Sequence, residues 1–204
     1  MGIFRQSTEY VGFVSRDRVA DFQQTPLVQP MRDVLGSLTL TDLRSGRSVR
    51  TDGYPIIPTV DDGSTGDLVL VQSATGQGMV AHDLDSRRPA WTLGGADAGG
   101  ALVLDGRVVR VEPDALRAVD ARTGATVWST PAAGSRVYGL HTDGDVVVRA
   151  ERDGQGGTVL VARSLDDGRV RWTSPVADDL EHLQAVDGRL VGLTAGGVVA
   201  FGSG

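Results

Sequence analysis

The segment Ala118–Trp128, AVDARTGATVW, carries a pattern that recurs along this chain. A short apolar run leads into Asp120, the chain reverses direction at Gly124, and a second β-rich run ends at Trp128. Copies of the pattern follow one another at a period of about 40 residues, which favours a propeller or a solenoid.

Three further segments carry the same pattern with substitutions. They are Met79–Trp91, with Arg87 at the glycine position; Val159–Trp172, with Ser164 at the aspartate position; and Leu38–Arg50, with Asp42 and Gly46 kept and Arg50 at the tryptophan position. A fifth copy begins at GGVVAFGSG and ends with the chain. The copies divide the chain into five units of one repeat domain, at residues 7–54, 55–95, 96–131, 132–176 and an incomplete 177–204.

Short apolar or alternating runs separated by glycine-rich corners fill each unit, and this pattern predicts hairpins. Corners are expected at Asp105–Gly106, Asp143–Gly144 and Asp187–Gly188. In the second unit, PIIPTV at 55–60 is expected to form a strand that ends in the corner DDGSTGD at 61–67. No window shows a capped helical stripe, so the prediction is an all-β propeller of four-stranded antiparallel blades.

The first unit is less regular. YVGFVS, RVADF, SLTLTDL and RSVR supply four strands. Pro26 and Pro30 make the intervening QQTPLVQPMRD a loop, because proline cannot donate a hydrogen bond within a central strand.

The tryptophan, glycine and aspartate of each copy have a structural explanation. A blade cannot bury both of its faces alone, and a large indole at the same place in each blade fills the gap to its neighbour. Glycine permits the positive φ of a tight corner, and Asp or Ser can accept hydrogen bonds from the backbone of the turn.

The pattern Ala-x-Asp-x-x-x-Gly-x-x-x-Trp resembles the tryptophan-docking repeat of the pyrroloquinoline-quinone-like β-propellers. The residues that match it, to which the resemblance assigns a structural blade-docking role, are Ala118, Asp120, Gly124 and Trp128; Ala81, Asp83 and Trp91; and Ala162, Gly168 and Trp172. This family contains quinoprotein dehydrogenases and non-catalytic scaffolds, and the chain is closest in style to the scaffolds that resemble outer-membrane assembly lipoproteins.

Closed propellers of this family have more blades than the roughly four and three-quarters counted here. The last unit ends after its third strand, so we expect a natural C-terminus and upstream blades that are absent from this sequence. An arc of this kind exposes a strand edge, which favours aggregation or a homodimer that closes the ring.

Composition excludes several classes of function. A net charge of −6 and a pI near 5.0 argue against nucleic acid and anionic membrane surfaces as partners. The absence of cysteine excludes disulfides and thiolate metal sites. There is neither a signal peptide nor an apolar run long enough to span a bilayer. The resemblance nevertheless implies an extracytoplasmic protein that is anchored to a membrane through upstream sequence.

No catalytic, cofactor-binding or metal-binding residue is predicted. GQGMVA at 76–81 fits a loose dinucleotide fingerprint but is followed by a strand pattern where that motif needs a helix. DDGSTGD lacks the spacing of a calcium loop, and the three histidines, His82, His141 and His182, lie in separate units. Without cysteine and asparagine, the residues that a quinone site in this family requires are not all present.

The expected function is therefore a non-catalytic scaffold that binds a protein or a small ligand. Two alternatives stay open: a fragment of a quinone-dependent dehydrogenase whose site lies in other blades, and a sensor domain outside the membrane joined to a transmembrane segment.

Overall fold

A computed structural model of the chain describes residues 8–15, 18–24, 36–42, 46–73, 77–96, 100–132, 139–176, 180–186 and 189–201. All regular secondary structure in these ranges is β-strand. The strands are β1 (Thr8–Ser15), β2 (Arg18–Gln24), β3 (Gly36–Asp42), β4 (Ser48–Asp52), β5 (Tyr54–Pro55), β6 (Leu68–Gln72), β7 (Gln77–Asp83), β8 (Arg88–Ala96), β9 (Ala101–Leu104), β10 (Arg107–Val111), β11 (Ala115–Asp120), β12 (Thr126–Pro131), β13 (His141–Thr142), β14 (Val146–Arg152), β15 (Thr158–Ser164), β16 (Val170–Pro175), β17 (Leu180–Val186), β18 (Arg189–Thr194) and β19 (Gly197–Phe201).

The strands form five antiparallel sheets in which neighbours in sequence pair with each other. The first four sheets have four strands each, β1–β4, β5–β8, β9–β12 and β13–β16, and the fifth has three, β17–β19. We call them the first to the fifth blade. The blades formed by the described residues do not close into a ring, and the all-β partial propeller predicted from the repeats is confirmed.

Local turn chemistry explains the hairpin of the third blade. Asp105 and Gly106 join β9 to β10 with φ values of 50° and 68°. Two successive positive φ angles define a type I′ turn, whose twist matches that of the flanking strands. The corner predicted at these residues is confirmed, whereas the corner predicted at residues 187–188 lies outside the described residues, as does all but the first two residues of the predicted loop QQTPLVQPMRD.

The hydrophobic core lies between neighbouring blades. Four clusters of buried side chains occupy the four successive interfaces, with Leu40 in the first, Met79 in the second, Leu140 in the third and Leu160 in the fourth. The second, third and fourth blades thus each bury one face against the preceding blade and the other against the following one, as repeat architectures require.

The strand predicted at residues 55–60 is wrong for most of its length. The paired strand β5 is limited to Tyr54–Pro55, and Ile56 adds one backbone hydrogen bond to Leu70 of β6. Pro58 has no N–H to give to a ladder, and the chain leaves the second blade at this point. It then runs parallel to β9 of the third blade, with a bridge between Asp61 and Val103.

Candidate functional site

Each alanine to which the sequence assigns a blade-docking role lies directly opposite a docking tryptophan on the adjacent strand. The pairs are Ala81 with Trp91, Ala118 with Trp128 and Ala162 with Trp172. All three alanines are fully buried. In each of the three blades the register shifts by one residue just before the tryptophan, and this bulge places the indole opposite a side chain small enough to leave room for it.

Trp91 and Trp128 both reach across to the following blade. Nε1 of Trp91 donates a hydrogen bond to the carbonyl oxygen of Ala121 at 2.9 Å, and Nε1 of Trp128 donates to that of Leu165 at 2.8 Å. The two indoles are only 8% and 7% exposed. A buried indole that also satisfies its N–H is well placed to hold two elements together.

The motif glycines form the seats on which these indoles rest. A Cβ atom added at Gly124 would lie 2.7 Å from Cγ of Trp91, and one added at Gly168 would lie 2.7 Å from Cε3 of Trp128. Both glycines also have φ near +70°. The sequence alone indicates the need for a positive φ. It does not indicate the need for space, because the indole that occupies the space belongs to the preceding repeat.

The aspartates and the serine of the motif stabilise the corners of their blades. Oδ1 of Asp120 accepts hydrogen bonds from the amides of Arg122 and Thr123 at 3.1 and 2.8 Å and from the Thr123 hydroxyl at 2.7 Å. The Thr123 hydroxyl and amide hold the pKa of Asp120 below its usual range. Asp83 forms a similar turn, and Ser164 accepts one amide.

The first blade departs from this arrangement. Strand β4 has no bulge, and Val49 rather than Arg50 therefore lies opposite Leu40. The interpretation of Arg50 as the counterpart of the tryptophans is therefore wrong. In the second blade, Arg87 occupies the glycine position with φ +60°, so a side chain stands where the corners at Gly124 and Gly168 each offer a seat for an indole.

Polar contacts link the first and second blades instead. Oγ1 of Thr51 and Nε2 of His82 share a hydrogen bond of 3.0 Å, and Arg47 pairs with Asp85 at the exposed corner. Burial lowers the pKa of His82. This histidine belongs to a structural contact between blades.

Trp172 lies in a different environment from the other two tryptophans. Its side chain is 40% exposed and lines a cavity of about 540 Å³ between the fourth and fifth blades. His141, Arg189 and Phe201 are among the other lining residues. By repeat spacing, the carbonyl that corresponds to those of the other two indole acceptors belongs to Ser203, which lies outside the described residues.

The last described strand of the fifth blade, β19, lies beside this cavity. Among the described residues, β19 pairs only with β18. Val198 and Val199 on β19 are 70% and 42% exposed. An apolar strand with an unpaired edge is a template for another strand. We call the cavity together with this edge the terminal cleft.

The acidic segment DDGSTGD links neighbouring blades. Oδ2 of Asp62 accepts the amide of Asp105 at 2.8 Å, and the Thr59 hydroxyl just before it donates to the carbonyl of Leu140 at 3.1 Å. Burial would raise the pKa of Asp62, but hydrogen bonds from Ser64 and Asp105 outweigh it and lower the pKa. These carboxylate contacts fix the crossing of the chain to the third blade.

The remaining candidates have simple positions. Residues 77–81 of the GQGMVA segment lie within β7 itself, so among the described residues the segment is strand and the helix that a dinucleotide fingerprint requires does not follow it. His182 is exposed on β17, whereas His141 lines the terminal cleft. In the described ranges, no group of three or more His, Cys, Asp or Glu side chains is arranged to hold a metal ion, and no helix is long and apolar enough to cross a membrane.

Charged side chains buried between blades were not predicted from the sequence. They are Arg110 and Glu112 on the third blade and Arg149 and Glu151 on the fourth. The signal was present as VVRVE and VVRAE, two similar segments at the same place in consecutive repeats. Such runs are typical of buried strands, and their charged residues are unusual there.

Comparison with known proteins identifies relatives of the fold. A family model described as outer membrane protein assembly factor BamB matches residues 35–204. The comparison with curated proteins gives no match.

Solved structures similar to this chain come from proteins of different origin. BamB from Moraxella catarrhalis matches with a TM-score of 0.55 and 17% identity over 94% of this chain and 66% of its own. The computationally designed Ika8 protein matches with a TM-score of 0.59 and 14% identity, over 94% of this chain and 69% of its own. Hydrazine synthase of Kuenenia stuttgartiensis matches with a TM-score of 0.57 and 15% identity, over 89% of this chain and 54% of its own. At these identities the similarity shows the fold alone.

Proposed function

Because the chain belongs to the family of outer membrane protein assembly factor BamB, we propose that it is a non-catalytic scaffold that binds an extended strand of another protein. The terminal cleft is the proposed binding site. The partner strand would pair with β19, and a glycine corner preceding that strand would receive Trp172. The observation that carries the proposal is the 40% exposure of Trp172, set against 8% and 7% for the tryptophans at the same position in two other blades.

The composition of the cleft suits a protein partner. Trp172 and Phe201 supply aromatic surface, while Arg189 and Asp143 supply charge around it. Exposed aromatic side chains within a polar rim are typical of the residues that contribute most to binding energy at interfaces. Backbone pairing with β19 would add affinity, and the indole in its seat would add specificity.

A peptide from the chain itself provides a probe. The peptide DARTGATVWSTP, the sequence of residues 120–131, contains a corner, a glycine seat and an outer strand. We expect a fluorescently labelled copy to bind the chain and to slow amide hydrogen exchange at residues 197–201. The matched control carries leucine in place of the glycine, which fills the seat.

Each of the two peptides is tested against the wild-type chain and against Trp172→Ala. The seat-blocked peptide should bind the wild-type chain more weakly than the original peptide, and both should bind Trp172→Ala equally weakly. Lack of protection along β19, or equal binding of the two peptides to the wild-type chain, would contradict it. Turnover abolished by a change at one cleft residue would contradict the non-catalytic assignment.

The partner in this proposal is a different protein, and a second copy of this chain is the competing outcome. Light scattering after size exclusion separates the two. A dimer that dissociates when Trp172 is replaced by alanine would show that the cleft closes on another copy, and a monomer that binds the probe peptide would favour a different protein.

The proposed location is outside the cytoplasm, with attachment to a membrane through upstream sequence. The description of the family as an outer membrane assembly factor supports this. Fractionation of the source cells with an antibody against this chain tests it, and recovery in the cytoplasmic fraction would contradict it.

A further inference from the structure

The segments VVRVE at 108–112 and VVRAE at 147–151 occupy equivalent places in the third and fourth blades. Val109 lies opposite Ala118 and Val148 lies opposite Ala162, so the two motif alanines fix the correspondence. By this register Arg149 is the counterpart of Arg110, and Glu151 is the counterpart of Glu112. Each Arg–Glu pair faces the preceding blade.

In the third blade, two arginines share one carboxylate. Arg117 Nη2 donates to Glu112 Oε2 at 3.1 Å, and Arg110 Nε lies 3.5 Å from Oε1 of the same side chain. Arg110 also donates from Nη2 to the carbonyl of Gly95 at 3.4 Å. Both positive charges are therefore close to the one negative charge.

The fourth blade lacks this sharing. Glu151 Oε2 accepts from Arg163 Nη2 at 3.1 Å, and Arg163 also donates from Nε to the Thr130 hydroxyl at 3.1 Å. Arg149 forms no ion pair within the described residues. Its Nε and Nη1 atoms have no hydrogen-bond partner there, and neither do Arg163 Nη1 and the carboxylate oxygen Oε1 of Glu151. The exposed fractions of Arg149, Glu151 and Arg163 are 3%, 6% and 6%.

This cluster contains two guanidinium groups and one carboxylate, a net charge of +1 among the described groups. The third-blade cluster has the same composition, but there the side chain of Arg117 is 34% exposed to solvent, whereas all three charged side chains of the fourth blade are buried. Burial lowers the pKa of Arg149, while Glu151 opposes that effect and Arg163 adds to it. Arginine nevertheless stays protonated in proteins. The segment 132–140, which leads into the fourth blade, contains no acidic residue.

A buried charge without a counter-charge is strongly unfavourable. A buried water molecule can accept hydrogen bonds from the free guanidinium nitrogens, but it cannot neutralise the charge. A small anion does both, and the planar fork of donors on arginine matches an oxyanion with two oxygens.

We propose that the interface between the third and fourth blades binds one small free oxyanion, of the phosphate or carboxylate class, through Arg149 and Arg163. Thr130 and Glu151 orient Arg163, and Arg149 supplies the unpaired donors. The site lies inside the blade array and is separate from the terminal cleft.

Thermal unfolding of the 204-residue chain tests the proposal, with sodium phosphate and sodium acetate each compared with sodium chloride at matched ionic strength. Ligand linkage predicts a rise in Tm of about 3 to 6 °C for each tenfold increase of the bound anion above its Kd. A response to phosphate assigns the inorganic anion, and a response to acetate assigns a carboxylate.

Three variants make the test specific. Arg149→Val should abolish the response, and valine is suited to the position because Val71 occupies it in the second blade. Arg171→Val removes an exposed arginine from the same blade and should leave the response unchanged. Glu151→Gln removes the competing negative charge while keeping the shape, so at mildly alkaline pH it should tighten binding in isothermal titration.

The contrary outcomes are equally definite. No anion-specific shift in the wild-type chain, or an equal shift in Arg149→Val, would overturn the proposal and assign a buried water to the arginines. If Arg149→Val does not fold, titration of Glu151→Gln decides, because unchanged or weaker anion binding there also overturns it.

Discussion

Trp128 and Trp172 occupy the same position in consecutive blades, yet one is 7% exposed and the other 40%. Trp128 rests on Gly168 and donates to the Leu165 carbonyl, both supplied by the next blade. For Trp172 the corresponding acceptor position is Ser203, outside the described residues. The repeat therefore encodes only half of each contact, and the environment of its tryptophan depends on what the following corner provides.

The first prediction is the largest, and it compares these two side chains directly. Trp128→Ala should lower the free energy of unfolding by about 3 to 5 kcal/mol, because it empties a buried interface. Trp172→Ala should cost about 1 kcal/mol or less, since much of that indole already contacts solvent. Urea denaturation of both variants measures the difference.

The two losses need not differ if the assigned roles are wrong. Similar destabilisation by both substitutions would show that the fifth blade depends on Trp172 as strongly as the fourth depends on Trp128. Trp91→Ala serves as the internal reference, because Trp91 is buried in the same way as Trp128 and should give a similar loss.

Features with a local cause were predictable from the sequence. The Asp105–Gly106 corner follows from turn preferences, and the all-β repeat follows from spacing and alternation. The recurrence of Ala118 and Trp128 in other units was sufficient to indicate the propeller, because equivalent positions in stacked repeats meet equivalent neighbours.

Features that depend on a partner distant in sequence were not predictable. Arg50 has the spacing of the tryptophans, but the missing bulge in β4 gives the cross-strand position to Val49, and no single residue signals a bulge. The segment around Pro58 leaves its own blade to pair with β9, which only the three-dimensional arrangement reveals. The charge imbalance at Arg149 becomes visible only when the atoms around it are known.

The second prediction separates the two roles of the motif glycine. Gly168→Ala should cost about 2 to 4 kcal/mol, since it forces a positive φ on alanine and places a Cβ atom against the Trp128 ring. Gly46 is the matched control. Its φ is +69°, but nothing lies within 4 Å of an added Cβ, so Gly46→Ala should cost about 1 kcal/mol.

The difference between these two variants isolates the seat from the turn. Thermal or urea unfolding of Gly46→Ala and Gly168→Ala measures it. Equal costs would mean that the glycine is needed for backbone conformation alone and that the indole shifts without penalty.

The third prediction is the smallest and concerns the corner where an arginine replaces the glycine. Arg87 has a φ of +60°, a conformation unfavourable for any residue with a Cβ atom. Arg87→Gly relieves that strain but makes the unfolded chain more flexible, so the net gain in unfolding free energy should be about 0.5 to 1 kcal/mol. Arg87→Ala keeps the Cβ atom and should leave stability close to that of the wild-type chain.

Because β4 presents no indole to this corner, a glycine there would have no indole to seat, and the gain in stability should come from the backbone alone. If Arg87→Gly and Arg87→Ala both destabilise the chain in urea denaturation, the arginine side chain itself stabilises the first interface, and the polar contacts at Thr51 and Arg47 are not its main link.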